Sequence, residues 1–191
     1  TFDRTSDSNG GQHVVLTGIS VAEFCVCEVE ESVNYATASV EFGQYGDTNG
    51  LSGQTFDISL PNGRTATLTG WTHTRVYHEG FLNNANDDAR AVVTGNLVPG
   101  RSYEVKLYQY ASDASHRINN PIHVNGEGPF DAAASADNSD DAAPTWTGIV
   151  VASADGAIDI TFDRMAEDNG GRHVVLTGIS VAEFCVCEVE D

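Results

Sequence analysis

The first 30 residues of the chain recur almost unchanged 160 residues later. Residues 1–30 read TFDRTSDSNGGQHVVLTGISVAEFCVCEVE, and residues 161–190 read TFDRMAEDNGGRHVVLTGISVAEFCVCEVE. Only positions 5, 6, 7, 8 and 12 differ from their counterparts, so 25 of the 30 residues match. A long period with so little divergence indicates tandem copies of one unit.

The repeat predicts how the chain is divided. We expect residues 31–191 to form one complete unit, and residues 1–30 to be the closing strands of a preceding unit or a donor segment. Because residues 161–190 fill the equivalent place in the complete unit, we expect residues 1–30 to find no partner there. A lone hairpin is marginal in water. These strands should therefore pair with a neighbouring copy, in a head-to-tail contact that propagates as a filament.

Apolar and polar residues alternate along several short segments of the unit. Residues 56–60, 103–107 and 158–162 each place large apolar side chains at every second position, which is the period of a half-buried strand. Turn residues separate these segments, and Asp155-Gly156 predicts a hairpin because glycine tolerates a positive φ. No segment has sustained helical periodicity. The pattern predicts an all-β fold, an antiparallel β-sandwich.

Four strand-like segments follow one another in the second half of the unit. They are PGRSYEVKLYQY, IHVNG, TWTGIVVASADGAIDITF and HVVLTGISV, with Asn125-Gly126 directly after a strand. This succession, over residues 97–181, resembles the galactose-binding-like jelly rolls, which include malectin-like domains and many carbohydrate-binding modules. The resemblance implies a jelly-roll-like sandwich, often with a structural calcium and sugar binding through loops. No binding residue of that group maps onto this chain.

The charge balance limits the partners. The chain has 28 acidic residues and 9 basic ones, a formal net charge of −19, and Lys106 is its only lysine. Such a surface repels phosphate backbones and anionic lipids, so we expect neither nucleic-acid binding nor membrane insertion. With 40% apolar residues the chain has enough for a packed core. We expect an extracellular or cell-surface protein.

Four cysteines form two Cys-Val-Cys motifs, at Cys25 and Cys27 and again at Cys185 and Cys187. Residues i and i+2 of a strand lie on the same face, and bonding them to each other would bend the strand. Three interpretations stay open. The thiols form disulfide cross-links between units, or four of them bind a metal ion, or they are buried as small apolar side chains.

One aromatic segment is a candidate sugar-binding surface. If WTHTRVYHEG is a strand, it places Trp71, His73, Arg75 and Tyr77 on one face. Aromatic rings beside hydrogen-bonding groups suit the apolar and polar sides of a sugar. The same pattern is also that of an ordinary amphipathic strand, on an outer sheet face or at a contact between units.

Two acidic loops are candidate calcium sites. Calcium takes six to eight oxygen ligands, which such loops can supply without helical order. Neither loop has the spacing of an EF-hand, and solvated loops of this composition are common. The candidate ligands are Asn86, Asp87 and Asp88 in the first loop and Asp137, Asp140 and Asp141 in the second.

The sequence contains no recognisable catalytic motif. We find no nucleophile elbow, no His-Glu-x-x-His and no phosphate-binding glycine loop. We therefore expect a non-catalytic structural or adhesive repeat that associates with further copies of itself, reinforced by cysteine cross-links. The alternative is a calcium-dependent carbohydrate-binding module, repeated for avidity toward glycans.

Calcium binding by the acidic loops predicts a stability that depends on the cation. A ligand present at about 100 times its Kd stabilises the native state by about 2.7 kcal/mol, so chelation should lower the Tm by about 5–10 °C. Scanning calorimetry with calcium and with a chelator measures the difference. Replacing Asp137, Asp140 and Asp141 by asparagine should abolish it if the second loop is the site. An unchanged Tm on chelation would leave both loops as solvated surface.

Overall fold

The computed structural model describes residues 3–6, 12–15, 23–26, 48–49, 53–75, 80–83, 88–111, 121–136, 142–163 and 174–187, with side chains described over 53–72, 88–111, 121–136, 142–163 and 174–184. These ranges are nearly all β, and their one helical segment is the short 3-10 turn Pro61–Gly63. No helix among them is long and apolar enough to cross a membrane.

The strands of the described ranges are numbered in chain order. They are β1 (Asp3–Ser6), β2 (Gln12–Val15), β3 (Glu23–Val26), β4 (Thr48–Asn49), β5 (Phe56–Leu60), β6 (Arg64–Thr69), β7 (His73–Arg75), β8 (Gly80–Asn83), β9 (Ala89–Thr94), β10 (Ser102–Tyr108), β11 (Ile122–Val124), β12 (Glu127–Phe130), β13 (Trp146–Val151), β14 (Ile158–Phe162), β15 (Val174–Leu176) and β16 (Gly178–Cys187).

Two antiparallel sheets form the sandwich, as the alternation predicted. One sheet has six strands in the order β12-β11-β14-β9-β6-β5, and the other has the order β13-β10-β16-β3. A further sheet, β15-β8-β7-β4, joins the second through the chain itself, since only Thr177 separates β15 from β16. The Thr177 N–H donates to the Tyr108 carbonyl, which extends the β10 ladder toward β15.

The core lies between the sheets and is built from the predicted alternating positions. The six-stranded sheet contributes buried side chains from β5 and β14, namely Ile58, Ile160 and Phe162. The other sheet contributes Val105 and Leu107 from β10 to the same core. The intervening residues of these strands are more exposed. Period-two burial on both sheets gives one continuous apolar layer, which is the packing of a β-sandwich.

The turn at Asp155-Gly156 forms, but it does not make the predicted hairpin. Gly156 has a φ of 67°, and its N–H donates to the Ser153 carbonyl. The strands on either side, β13 and β14, belong to different sheets. The hairpin prediction is therefore wrong, because a tight turn fixes only a local reversal. Here the turn carries the chain across the sandwich instead.

Part of the N-terminal segment pairs within this chain. Strands β1 and β2 form a hairpin, and β3 pairs antiparallel with the end of β16, at residues 184–187. Strand β10 pairs with an earlier part of β16, residues 178–183. The expectation that residues 1–30 find no partner in the complete unit is thus wrong for residues 23–26. They add to the closing strand instead of competing for its place.

A buried arginine connects the two sheets. Arg64 is the first residue of β6 in the six-stranded sheet, and only 3% of its surface is exposed. Its Nη1 donates a 2.6 Å hydrogen bond to the Val181 carbonyl of β16, and its guanidinium carbon lies 5.3 Å from the Tyr103 ring centroid. A buried cation must be compensated by hydrogen bonds and polarisable neighbours. Arg64 therefore links the two sheets directly, from β6 to β16 and to Tyr103 of β10.

Replacing Arg64 by methionine should lower the free energy of unfolding by about 2–3 kcal/mol, because a charge-assisted hydrogen bond between the sheets is lost. Arg90→Met is the matched control. Arg90 makes a bidentate ion pair with Asp159, whose hydrogen bond and charge raise the pKa of the arginine, but both side chains are solvent-accessible. An exposed pair contributes about 1 kcal/mol or less. Equal losses in urea unfolding of the two variants would contradict the role given to Arg64.

Candidate functional site

The two copies of one peptide meet where β3 pairs with β16. Residues 23–27 and 183–187 both read Glu-Phe-Cys-Val-Cys. In the pairing Phe24 lies opposite Val186, and Val26 lies opposite Phe184. Since Phe24 and Phe184 are the same repeat position, as are Val26 and Val186, the register is symmetric. The peptide is therefore self-complementary, and its local two-fold axis passes through the central pair.

That central pair is Cys25 and Cys185, which are directly opposite each other in the register. Directly opposed residues of an antiparallel pair have Cα atoms about 4.5–5.5 Å apart, within the roughly 4.4–6.8 Å that a disulfide spans. The backbone thus allows a disulfide between the copies, as the first interpretation of the cysteines requires. Cys187 lies opposite Glu23, and Cys27 lies outside the described residues.

The neighbourhood of this pair is acidic but partly neutralised. Glu183, two residues before Cys185, makes an ion pair with Arg101, and its side chain is only 16% exposed. Arg101 directly precedes β10, whose ladder with β16 ends at Glu183. The ion pair neutralises one negative charge on β16, next to the residues with which β3 pairs. This matters in a chain with a net charge of −19, because like charges on adjacent strands repel each other.

The repeated sequence upstream of this pair has two different partners. Residues 12–15 pair with β1, whereas β15, the counterpart of residues 14–16, pairs with β8. In β15 the side chains of Val174, Val175 and Leu176 are 0–1% exposed. The sequence is therefore suited to a buried strand, and available neighbours decide which strand it joins.

The predicted sugar-binding surface is wrong for Trp71. This residue is completely buried, its indole N–H donates to the Arg90 carbonyl, and its ring packs edge-to-face on Phe162 at 5.4 Å. It precedes β7 and belongs to the core. Strand β7 contains His73 and Arg75, whose side chains lie outside the described part, as does all of Tyr77.

The acidic loops fall mostly outside the described residues. Asp88 is described and exposed, directly before β9, whereas Asn86, Asp87, Asp137, Asp140 and Asp141 lie outside. Among the described side chains, no group of three or more His, Cys, Asp or Glu is placed to hold a metal ion. Calcium binding by these loops stays a prediction.

Sequence reasoning missed a cleft at the open edge of the sandwich, between β12 and β13. It has a volume of about 170 Å³, and Trp146 and Phe130 line it with ring centroids 5.7 Å apart. The indole lies close over Gly148, where a Cβ atom would come within 2.5 Å of the ring. The signal available in the sequence was a tryptophan two residues before a glycine in a predicted strand.

Asn125 holds the two sheets together beside this cleft. Its Nδ2 donates to the Val151 carbonyl on β13, and its Oδ1 accepts from the Asp159 N–H on β14, each at 2.8 Å. Its own N–H donates to the Asp159 carbonyl. The left-handed conformation that this position needs, with a φ of 51°, suits asparagine. The Asn125-Gly126 turn was visible in the sequence, but its bond to the opposite sheet was not.

Replacing Asn125 by glycine keeps the backbone conformation and removes both side-chain hydrogen bonds. We expect the free energy of unfolding to fall by about 1–3 kcal/mol, since two main-chain groups lose their partner. Asn96→Gly is a matched control, because Asn96 also has a positive φ and donates one exposed bond to the Asn62 carbonyl. Urea unfolding followed by tryptophan fluorescence compares them. A larger loss for the control would contradict the inter-sheet role of Asn125.

Comparisons with known proteins find no relative of this chain. The chain matches no protein-family model, no curated protein and no solved structure. The resemblance to galactose-binding-like jelly rolls therefore stays a prediction, and the function has to be argued from the geometry of the chain itself.

Proposed function

We propose that this chain is a non-catalytic extracellular repeat module, structural or adhesive, whose units assemble head-to-tail. The observation that carries the proposal is the pairing of β3 with β16, in which the closing strands of two consecutive copies lie side by side. Residues 1–30 belong, in this proposal, to the unit that precedes residues 31–191. The repeated segment of this unit then attaches to the same segment of the unit before it.

Main-chain pairing suits this task for a physical reason. A strand at the edge of a sheet has unpaired N–H and C=O groups, and an added strand satisfies them whatever its side chains are. The repeated peptide supplies such a strand in each unit. Because its register on itself is symmetric about Cys25 and Cys185, two consecutive units join through the same edge of the same peptide, without a separate docking surface. One such contact occupies that edge in both units.

The cysteines would make the junction permanent. In an oxidising extracellular setting, a bond between Cys25 and Cys185 requires loss of two protons and two electrons to an oxidant such as molecular oxygen or a disulfide exchange partner. A cross-link closing so long a loop stabilises by about 2–4 kcal/mol. The link keeps the two copies paired when the hydrogen bonds between them open, which non-covalent strand pairing alone does not.

Peptide mapping of the unreduced, air-oxidised chain tests the cross-link. Trypsin is the protease of choice, since it separates Cys25 and Cys185 into different peptides, 5–64 and 173–191. Cleavage after glutamate would give Phe-Cys-Val-Cys-Glu from both sites, and these could not be told apart. We expect the two tryptic peptides to be linked and the link to disappear on reduction.

Serine variants identify the bonded pair. Cys25→Ser and Cys185→Ser should each lower the Tm of the oxidised chain, whereas Cys27→Ser should retain both the link and the Tm. Loops joining only Cys25 to Cys27 and Cys185 to Cys187 would refute the cross-link. If electron microscopy of a three-unit chain showed units that are unpaired and freely jointed, the assembly proposal would fail as well.

A further inference from the structure

Strand β13 is an edge strand without the usual protection. Edge strands commonly carry charges or proline, which discourage pairing with another molecule. At the ends of the six-stranded sheet, β5 contains Asp57 and β12 contains Glu127 and Pro129. Strand β13 ends the other sheet and reads Trp-Thr-Gly-Ile-Val-Val, with neither charge nor proline.

The main chain of β13 has polar groups directed away from its neighbour. The N–H of Ala152, the residue after β13, donates to the Arg101 carbonyl toward β10. Alternation along a strand then turns the groups of Thr147, Ile149 and Val151 toward the open edge. The Val151 carbonyl is capped there by Asn125. Among the described residues none is hydrogen-bonded to the outward groups of Thr147 and Ile149, which form the uncapped part of this edge.

The exposed apolar surface lies at the same place. The described part of the chain has three large apolar side chains that are strongly exposed, namely Ile149 at 49%, Val151 at 54% and Val98 at 47%. Two are on β13, and Val98 lies in the loop that is hydrogen-bonded to its end through Gly100 and Ala152. Clustered exposed apolar residues are typical of an interaction surface.

The charges next to this patch are neutralised. On β10, Glu104 lies opposite Ile149 and Lys106 opposite Thr147. These two charged residues form an ion pair at 2.5 Å, and Lys106 is the only lysine of the chain. The surface beside the β13 edge is thus locally balanced within a chain of net charge −19. A second copy can approach here with less repulsion than over an unpaired acidic surface.

We propose that the β13 edge is a lateral interface with a second copy of this chain. In the pairing, Thr147 lies opposite the partner's Ile149 and Ile149 opposite the partner's Thr147, and each such pair exchanges two main-chain hydrogen bonds. Gly148 then lies opposite its own counterpart at the two-fold axis, where closely spaced strands leave little room for a side chain. The contact is isologous, so it closes as a pair of copies.

This register follows from the structure of the edge. Pairing centred on Ile149 would place Thr147 opposite Val151, whose carbonyl Asn125 already occupies. Pairing centred on Gly148 uses the uncapped groups of Thr147 and Ile149 and avoids that carbonyl. A second copy fits because the uncapped set is symmetric about Gly148, and the contact needs nothing beyond β13 itself. This contact would bury less than the roughly 1,200 Å² at the lower end of standard interfaces, so it is weak. Salt should strengthen it, because salt screens the repulsion between the two negatively charged copies.

Sedimentation velocity over a range of protein and salt concentrations tests the proposal. The chain used is the Cys25→Ser, Cys185→Ser double variant, so that the result does not depend on the cross-link of the proposed function. We expect a monomer–dimer equilibrium that strengthens with salt. Ile149→Lys should weaken it by about tenfold or more, because it replaces an apolar contact with two like charges near the axis. Thr147→Lys should act in the same direction.

Ser59→Lys is the matched control, since it adds the same charge at an exposed position of β5, an edge strand of the other sheet. It should leave the equilibrium unchanged, and thermal melts should show that all variants fold. Hydrogen exchange should slow at the Thr147 and Ile149 amides as the dimer forms. A chain that stays monomeric throughout, or equal weakening by Ser59→Lys, or unchanged exchange at these amides, would overturn the interface.

Discussion

Face-to-face packing of two sheets is the interaction on which the rest of this structure depends. Each core strand buries every second side chain, so Ile160 and Phe162 from one sheet meet Val105 and Leu107 from the other. This burial supplies most of the stabilisation, since it scales with the apolar area removed from water. The polar bridges made by Arg64 and Asn125 are consequences of it, because main-chain groups of one sheet come within reach of side chains on the other.

The same packing creates the edges on which both proposals depend. A sandwich buries faces but cannot pair its outermost strands, so each sheet ends in unsatisfied main-chain groups. These edge strands differ in sequence and in how they are covered. Charges and a proline mark β5 and β12, β3 covers the far end of β16, and β13 is left apolar with a short uncapped segment. The two proposals, pairing of consecutive units through β3 and β16 and lateral pairing of copies through β13, both follow from this difference between the edges.

Charge sets the conditions under which such contacts form. A net charge of −19 opposes any association between copies, and salt screens that repulsion. Two of the nine basic residues lie next to these edges, where Arg101 pairs with Glu183 of β16 and Lys106 pairs with Glu104 beside β13. A solubilising surface and locally neutral edges are therefore compatible in one chain.

The sequence by itself determined the all-β class, the inward positions of residues 56–60, 103–107 and 158–162, and the duplication. These depend on period-two alternation and on identity, which are local properties. Tertiary structure alone decided which strands are neighbours. The Asp155-Gly156 turn joins two sheets instead of two paired strands, and Trp71 packs in the core instead of facing a sugar. The repeated residues 12–15 and 174–176 have different partners, because a strand's hydrogen bonds go to whichever edge the rest of the fold brings beside it.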